Sequence, residues 1–250
     1  MVPLAVVAVV VIAVGAFAVL GSRPPSGARS AASPAAISLG VTSLPQAELD
    51  QVGDGGQPAW IKAVSGVPPS AAPVVFYIGA DYCPYCAAAR WTLVQALGRF
   101  GTFSSLKLTT SSSSDVFPDT PTFSFTGSSF ASDYLRFAAV ETADRERRPL
   151  EPIPAALQPL VNRYNPGGNI PFSYVDGRYF ASGSNYPPDL LKGLDWSQVV
   201  DQLKDPASPL TRAVVGNANQ LTAALCQVTS GKPASVCTSA AVRTAHLPPR

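Results

Sequence analysis

The chain has 250 residues, of which 46% are hydrophobic and 14% are charged, and its formal net charge is +2. This length is enough for one good-sized domain with additions, or for two small domains. The net charge is too small to indicate a nucleic acid or an acidic partner, so we expect neither.

An apolar run without any charge occupies residues 2–20. A run of about 20 residues matches a transmembrane helix, whereas the apolar core of a signal peptide has only ~7–15 residues. We therefore predict a single-pass anchor in the cell membrane over residues 1–21, with a cleaved signal as the alternative. Residues 22–40 are rich in Ser, Ala, Pro and Gly and are predicted to be a flexible linker.

Two sequence features disagree about the side of the membrane on which the rest of the chain lies. Arg23 and Arg29 follow the apolar run, which by the positive-inside rule would place the chain in the cytoplasm. The four cysteines form two pairs, however, and paired cysteines are typical of an oxidising compartment. We give the cysteines more weight and expect the domain to be extracytoplasmic.

A predicted strand leads directly into the first cysteine pair. Upstream of it, residues 44–49 favour a helical turn and residues 59–64 a strand. Residues 74–78 are apolar and rich in β-branched and aromatic side chains, which is typical of a buried strand. After a turn, Pro84 fits the first turn of a helix, where its missing N–H costs nothing. Apolar residues then recur at helical spacing, at Ala87, Trp91, Val94 and Leu97.

Cys83, at the start of this helix, is the candidate nucleophile of a redox pair. The thiolate is the reactive form, and the free N–H groups of the helix point at its sulfur. Lowering a thiol pKa by ~2 units takes about 2.7 kcal/mol, of which a helix N-terminus supplies at most ~2 kcal/mol. Direct donors, including the Cys86 side chain, must supply the rest, since Arg90 lies two turns along the helix. We expect Cys83 to be exposed, and Cys86 to lie deeper and resolve the mixed disulfide.

Two other interpretations of this pair remain open, a static disulfide and half of a zinc site. Zinc requires two further ligands, but Cys226, Cys237 and His246 do not have the spacing of a metal site. We therefore predict no metal and no cofactor. Asp81, two residues before Cys83, could relay protons, but a solvated turn residue is the favoured interpretation.

Predicted strands and helices alternate along the rest of the chain. Strands are predicted over residues 106–108, 122–125 and 134–140, and a helix over residues 155–164. Two aromatic-rich runs joined by Asp176-Gly177 indicate a β-hairpin. Asp195 and Gln198 resemble a capping box for the helix that follows. This alternation is typical of a domain in which helices pack on a sheet.

Pro171 and the second cysteine pair are the remaining candidates. Pro171 precedes the hairpin, and local sequence alone favours a trans bond there, because only ~5–6% of X–Pro bonds are cis. A final helix is predicted from Ser208 to near Cys226. A structural disulfide from Cys226 to Cys237 would close a short loop and stabilise the fold by about 2–3 kcal/mol, with a shuttle pair as the alternative.

The strand, the CxxC helix and the Ile-Pro before a hairpin together resemble the thioredoxin superfamily. The dipeptide Pro84-Tyr85 inside the motif is similar to that of glutaredoxins, but no glutathione-binding set is recognisable. Tyr82 stands where a thioredoxin has Trp, and Pro84-Tyr85 where it has Gly-Pro. A closer resemblance is to the family called domain of unknown function 929, and it is carried by residues 76–86, 90–91, 99–103 and 121–125.

The resemblance implies an α/β, thioredoxin-like fold over residues 41–240, in which helices flank a central mixed sheet, followed by a tail over residues 241–250. It also implies a redox-active CxxC motif and a cis peptide bond at Pro171. The stretch 106–169 is long for the middle section of the superfamily, so we expect an elaboration near the active face.

We therefore expect a membrane-anchored, extracytoplasmic thiol–disulfide oxidoreductase whose partners are protein thiols or disulfides. The anchor is also compatible with a redox partner in the membrane. The direction of electron transfer stays open, because 30 mV of reduction potential corresponds to only ~1.4 kcal/mol. A non-catalytic interaction or chaperone-like domain with static disulfides is the alternative, and a metal chaperone is the third interpretation.

Overall fold

The structure is a computed structural model that describes residues 33–64 and 72–248. The predicted anchor over residues 1–21 lies outside the described residues, as does the linker before Ser33. Within the part of the chain that the structure describes, no helix is both long and apolar enough to cross a membrane.

The described residues form a mixture of strands and helices, in agreement with the predicted α/β class. The strands are β1 (Lys62–Ala63), β2 (Val74–Gly79), β3 (Thr102–Ser104), β4 (Lys107–Thr110), β5 (Pro121–Ser124), β6 (Ser129–Ala131), β7 (Arg136–Glu141), β8 (Phe172–Val175) and β9 (Tyr179–Ser182). The helices are α1 (Pro34–Thr42), α2 (Gln46–Val52), α3 (Pro84–Leu97), α4 (Gln158–Tyr164), α5 (Trp196–Leu203), α6 (Pro209–Val228), α7 (Ala234–Cys237) and α8 (Ala240–Thr244), with short 3₁₀ turns at Ala155–Leu157 and Pro188–Leu191.

The central sheet is mixed and has the strand order β1-β9-β8-β2-β7. Strand β2 pairs with β7 in parallel and with β8 in antiparallel orientation, and β8 continues into β9 as an antiparallel hairpin. A parallel pair needs a crossover connection, and here the connection from β2 to β7 begins with α3. The strand that leads into the first cysteine pair is therefore an interior strand of the sheet.

Helices cover both faces of this sheet. On one face, Phe76 and Ile78 of β2 form a buried cluster with Val161 of α4. On the other face, the Tyr77 ring lies beneath Arg90 of α3, with the guanidinium carbon 5.9 Å from the ring centroid. Successive side chains of a strand point to opposite faces, which explains this division. The nearly continuous apolar run of β2 follows from its burial on both sides.

The section between α3 and β7 packs against the helix that follows Cys83. Two small antiparallel sheets, β3 with β6 and β4 with β5, lie in this section. The indole N–H of the fully buried Trp91 donates to the Pro121 carbonyl at 2.9 Å. The Thr122 hydroxyl donates to the Ala87 carbonyl, also at 2.9 Å. These bonds attach β5 to α3 at two successive residues.

Local turn and cap signals in the sequence correspond closely to the structure. The hairpin turn falls at Asp176-Gly177, where both residues have positive φ angles, 44° and 74°. Asp195 and Gln198 form the predicted capping box, in which each side chain bonds the backbone of the other residue. The strands predicted over 59–64, 74–78, 106–108, 122–125 and 134–140 correspond to β1, β2, β4, β5 and β7, displaced by up to three residues.

The predicted boundaries at both ends of the domain are wrong. The linker prediction extended to residue 40, but α1 begins at Pro34, is capped by the Ser33 side chain and buries Ile37 and Val41. The predicted tail from residue 241 contains α8, whose Ala241 and Val242 are buried. The helix predicted to be the last is followed by α7 and α8. The linker prediction rested on the Ser, Ala, Pro and Gly content of residues 22–40, but Ile37 and the residues at 241–242 are apolar and pack in the fold.

Cys226 and Cys237 form a disulfide that joins the end of α6 to α7, with a Cα–Cα distance of 5.5 Å. Cys226 is buried, and the bridge closes a loop with a sequence separation of 11 residues. The α7–α8 segment holds few other large apolar side chains. The disulfide is therefore the strongest attachment between this segment and α6.

We expect the double variant Cys226→Ser/Cys237→Ser to lose about 3 kcal/mol of unfolding free energy, which is the loop-closure entropy of a cross-link over this length. Denaturant unfolding of both proteins under non-oxidising conditions measures the difference. The same comparison in the presence of a reductant strong enough to open the bridge is the control, because the two proteins should then unfold alike. An unchanged midpoint of the variant without reductant would contradict the structural role.

Candidate functional site

The first cysteine pair lies where β2 ends and α3 begins. Strand β2 ends at Gly79, a short turn follows, and Cys83 is the N-cap residue of α3, with extended backbone angles. The Cys86 backbone N–H donates to the Cys83 sulfur at 3.3 Å. Both cysteines are free thiols. Pro84 occupies the first turn of the helix, as the sequence predicts.

Both thiols are buried, as expected for Cys86 but not for Cys83. Cys86 is fully buried, but Cys83, which was expected to be exposed, is only 6% exposed. The loop between β4 and β5 lies against the motif, because the Ser112 N–H donates to the Tyr82 carbonyl at 2.9 Å. In the same loop, the Phe117 ring meets the Tyr85 ring edge-on, with 5.9 Å between the centroids. The middle section of the chain thus encloses the motif more than a bare helix start would.

The two thiols differ in acidity. The pKa of Cys83 is lowered, chiefly by a hydrogen bond from the Cys86 side chain, against an opposing effect of burial. Backbone N–H donors at the helix start and the charge of Arg90 add smaller contributions in the same direction. The pKa of Cys86 is raised well above its usual value by burial and by its hydrogen bond to Cys83. The environment therefore favours the thiolate form of Cys83 and the protonated thiol of Cys86.

A buried ion-pair network lies next to the cysteines, and sequence reasoning missed it. Arg90 is fully buried, and its guanidinium pairs with Glu141 through Nε–Oε1 at 2.9 Å and Nη2–Oε2 at 2.6 Å. Asp81 lies 3.4 Å from the same guanidinium and accepts a hydrogen bond from the Ser124 hydroxyl at 3.0 Å. Arg90 follows Cys86 by four residues, so the two side chains lie on the same face of α3, one turn apart.

This network corrects the interpretation of Asp81 as a solvated turn residue, because Asp81 is only 7% exposed. Burial raises the pKa values of Asp81 and Glu141, and Arg90 opposes both shifts. Burial also disfavours the charge of Arg90, but Glu141, Tyr77 and Cys86 together outweigh burial, so the pKa of Arg90 is raised well above its usual value. The sequence signal for this network is weak, because Glu141 resembles an ordinary polar residue at a strand end.

Tyr77 completes the surroundings of the pair. Its ring is fully buried beneath Arg90, and its hydroxyl has no hydrogen-bond partner among the described residues. Burial raises the pKa of this phenol well above its usual value, so it stays neutral. A Cβ atom at Gly79 would collide with the Tyr77 hydroxyl, which explains why a residue without a side chain ends β2.

Pro171 lies at the same end of the sheet as the motif. The Ile170–Pro171 bond is cis, as the resemblance implied and contrary to the preference of local sequence alone. The next residue, Phe172, pairs with Ile78 near the end of β2. The Pro171 carbonyl accepts a hydrogen bond from the Gly183 N–H at 2.8 Å, which attaches the start of β8 to the loop after β9.

The loop after β9 and the motif together line a cavity of about 390 Å³, formed by Tyr85 and residues 183–187. The Tyr186 hydroxyl donates to the Ala88 carbonyl at 2.9 Å, and the Asn185 amide donates to the Thr92 hydroxyl at 2.8 Å. These bonds hold the loop against α3. No charged residue lines this cavity.

The residues considered for a zinc site are engaged elsewhere. Cys226 and Cys237 are bonded to each other, and His246 is largely exposed, with its Nδ1 atom 2.6 Å from Asp54. Among the residues that the structure describes, no group of three or more His, Cys, Asp or Glu side chains could hold a metal ion.

A family model described as a domain of unknown function, DUF929, matches residues 66–227. The chain belongs to this family. The matched DUF929 region contains the motif, Glu141, Pro171 and Cys226 but ends before Cys237, so the disulfide joins it to the segment that follows. No curated protein and no solved structure matches the chain.

We expect Cys86→Ala to raise the pKa of Cys83, because it removes the largest stabilising hydrogen bond to the thiolate. Since only the thiolate is alkylated, the rate of alkylation rises with pH through this pKa, and the wild-type midpoint should lie below the ~8.5 of a free cysteine. Iodoacetamide labelling of Cys83 across pH, followed by mass spectrometry, gives the midpoint. Cys86→Ser is the matched control, because its hydroxyl remains a donor and should give a smaller shift. A Cys86→Ala midpoint at or below that of the wild type would contradict the assignment.

We expect Glu141→Gln to lower the unfolding free energy by about 3–5 kcal/mol, because it leaves the buried Arg90 charge without its counter-ion. Denaturant unfolding provides the measurement. Lys204→Gln is the control, since it breaks an exposed pair with Asp201 and should change stability by no more than about 0.5 kcal/mol. If the two variants proved equally stable, the buried pair would have no structural role.

Proposed function

We propose that this DUF929 domain is a thioredoxin-like thiol–disulfide oxidoreductase that exchanges disulfides with other proteins through Cys83 and Cys86. The observation that carries the proposal is the placement of the two thiols: Cys83 caps the start of α3 and accepts the Cys86 N–H at 3.3 Å, whereas Cys86 is fully buried one turn inside the helix. The pKa of Cys83 is accordingly lowered and that of Cys86 raised. A nucleophile must be a thiolate, while the second sulfur must wait until a mixed disulfide has formed. A static pair has no need of this asymmetry.

The arrangement of the sheet supports the thioredoxin-like part of the proposal. A strand leads into a CxxC helix, a parallel strand follows, and an antiparallel hairpin begins directly after a cis proline. These are the elements that the resemblance to the thioredoxin superfamily implies. Strand β1, which pairs with β9 at the edge, is an addition to that minimal set.

In the direction of substrate reduction, the Cys83 thiolate attacks one sulfur of a substrate disulfide. A bond forms between the two sulfurs, the substrate S–S bond breaks, and the departing sulfur takes up a proton. Cys86 then loses its proton, and its sulfur attacks Cys83, which releases the second substrate sulfur as a thiol. Two electrons pass to the substrate, and Cys83 and Cys86 become a disulfide. A dithiol protein partner restores the pair, and the reverse sequence oxidises a substrate dithiol.

Arg90 assists the second step in this scheme. The buried Cys86 must become a thiolate, and burial alone opposes that charge. Arg90, one helical turn away, lowers the pKa of Cys86 in opposition to burial. Its charge is shared with Glu141 and Asp81, so its effect on either cysteine is moderate.

We further propose that the domain works outside the cytoplasm on a membrane anchor, with partners that carry thiols or disulfides. The apolar run over residues 2–20 and the Cys226–Cys237 disulfide support this location. Protease digestion of intact cells from which the wall has been removed tests it, since an extracytoplasmic domain is degraded without lysis. Protection until lysis would place the domain in the cytoplasm.

A non-catalytic interaction or chaperone-like domain is the second candidate. The observation that favours it is the 6% exposure of Cys83, which limits access to the sulfur. The two candidates differ in one measurable property, because a static pair does not form mixed disulfides with other proteins.

We expect Cys83→Ala to abolish disulfide exchange with a reduced or oxidised protein substrate, because it removes the attacking sulfur. Cys86→Ser should instead accumulate mixed disulfides through Cys83, since the resolving sulfur is missing. Non-reducing electrophoresis and mass spectrometry detect these adducts, and also identify the substrates.

The Cys226→Ser/Cys237→Ser protein is the control and should retain exchange if its disulfide is structural. Exchange that persists in Cys83→Ala, or the absence of mixed disulfides with Cys86→Ser, would favour the non-catalytic domain.

A further inference from the structure

Apolar side chains remain exposed on the surface beside the CxxC motif. Tyr85, inside the motif, is 40% exposed, and Val116, in the loop between β4 and β5, is 72% exposed. Phe117, which follows Val116, is half-buried with its ring edge against Tyr85. We call Tyr85, Val116 and Phe117 the apolar rim. Single exposed apolar residues are ordinary, but neighbouring ones at a candidate reactive site indicate a binding surface.

The loop that carries Val116 is held firmly by its own hydrogen bonds. The Ser111 N–H donates to the Thr120 carbonyl, and the Ser111 hydroxyl donates to the Phe117 carbonyl, both at 2.9 Å. The Ser112 N–H donates to the Tyr82 carbonyl at the motif itself. The fold therefore presents Val116 to solvent in a fixed position instead of allowing it to collapse into the core.

The charged groups around the rim neutralise one another. Asp115 pairs with Arg147 at 2.7 Å, and Asp119 pairs with Arg145. Both charged residues in the loop over residues 111–120 therefore have a cationic partner. The Arg147 guanidinium also lies over the Tyr82 ring, 4.0 Å from its centroid. On the other side of Tyr85, the cavity formed with residues 183–187 is lined without charge. Among the described residues, the two arginines that contact the loop, Arg145 and Arg147, are thus engaged with carboxylates, and the cavity lining contains no cation for a substrate carboxylate.

We propose that the apolar rim binds an extended, uncharged apolar stretch of polypeptide directly beside the substrate cysteine. This proposal rests on the proposed disulfide exchange and names its substrate class, which is a protein with apolar residues exposed around its cysteines, as in an incompletely folded chain. Glutathione, a small thiol with two carboxylates, does not match this surface. The rim and the neighbouring cavity give the peptide a contact on each side of Tyr85.

The test uses substrates that differ only beside the reacting sulfur. The reduced full chain is mixed with peptides in which a single cysteine is flanked either by Val and Leu or by Asp. The cysteine of each peptide is activated as a mixed disulfide with pyridine-2-thiol, and glutathione activated in the same way is the third substrate. The Cys83 thiolate attacks the peptide sulfur, a disulfide forms between Cys83 and the peptide, and the bond to the pyridyl sulfur breaks. The departing group takes up a proton and becomes pyridine-2-thione, which absorbs light. Dipyridyl disulfide, which has no flanks, measures the intrinsic reactivity of Cys83.

We expect the apolar peptide to react about tenfold faster than the acidic peptide and the glutathione derivative. Val116→Asp should remove most of this preference, measured as the rate with the apolar peptide divided by the rate of the same variant with dipyridyl disulfide, so that any change in the intrinsic reactivity of Cys83 cancels. Val116→Ser, which adds no charge, should remove part of the preference. Leu39→Asp is the matched control, since Leu39 is 64% exposed and lies by Gly98 at the far end of α3, roughly 20 Å from the motif.

Three results would overturn the proposal, and they are distinguishable. Equal rates with all flanked substrates, or a preference for the glutathione derivative, would reject the apolar peptide while disulfide exchange itself stands. A preference that survives in both Val116 variants would place the binding surface elsewhere. If no substrate released pyridine-2-thione in a manner that depends on Cys83, the proposed function would fail and this proposal with it.

Discussion

The buried ion pair between Arg90 and Glu141 constrains the arrangement of the whole end of the fold that holds Cys83 and Cys86. A guanidinium removed from water requires both a counter-charge and partners for its N–H groups, or the folded state loses several kcal/mol. Glu141, the last residue of β7, supplies the counter-charge and accepts from Nε and Nη2, and Asp81 adds a second carboxylate from the turn after β2, while Nη1 has no hydrogen-bond partner among the described residues. Helix α3, two neighbouring strands and the turn before Cys83 must therefore be in place together.

The same network explains why the acidity of Cys83 is determined by its immediate neighbours. Arg90 favours a thiolate on either cysteine, but Glu141 and Asp81 hold opposite charge against the same guanidinium. The hydrogen bond from the Cys86 side chain accordingly has a larger effect on the pKa of Cys83 than Arg90 does. The difference between the two thiols thus arises from their positions at the helix start, one at the N-cap and one a turn inside.

Sequence reasoning succeeded where the determining interactions are local. The N-cap position of Cys83, the hairpin turn at Asp176-Gly177 and the capping box at Asp195 each depend on residues no more than four apart. The partnership of Arg90 with Glu141 spans 51 residues, and no spacing rule predicts it. The loop between β4 and β5 shows the same limit, because Ser111 and Ser112 are buried and no local pattern predicts that the Ser112 N–H donates to the Tyr82 carbonyl at the motif.

The burial of Cys83 favours a non-catalytic domain over an oxidoreductase. It is nevertheless compatible with an oxidoreductase that reacts only with selected substrates. The sulfur of a residue that is only 6% exposed reacts slowly with bulky folded surfaces, because attack requires a nearly linear approach to the substrate disulfide. An extended chain can bring its disulfide to such a sulfur if the surface beside it holds the chain in place. The loop that contacts Tyr82 and Tyr85 on either side of Cys83 also carries Val116 and Phe117, so the apolar contact lies beside the buried thiol. A static cysteine pair would explain the burial of Cys83, but it would not explain why Val116 is exposed beside the motif.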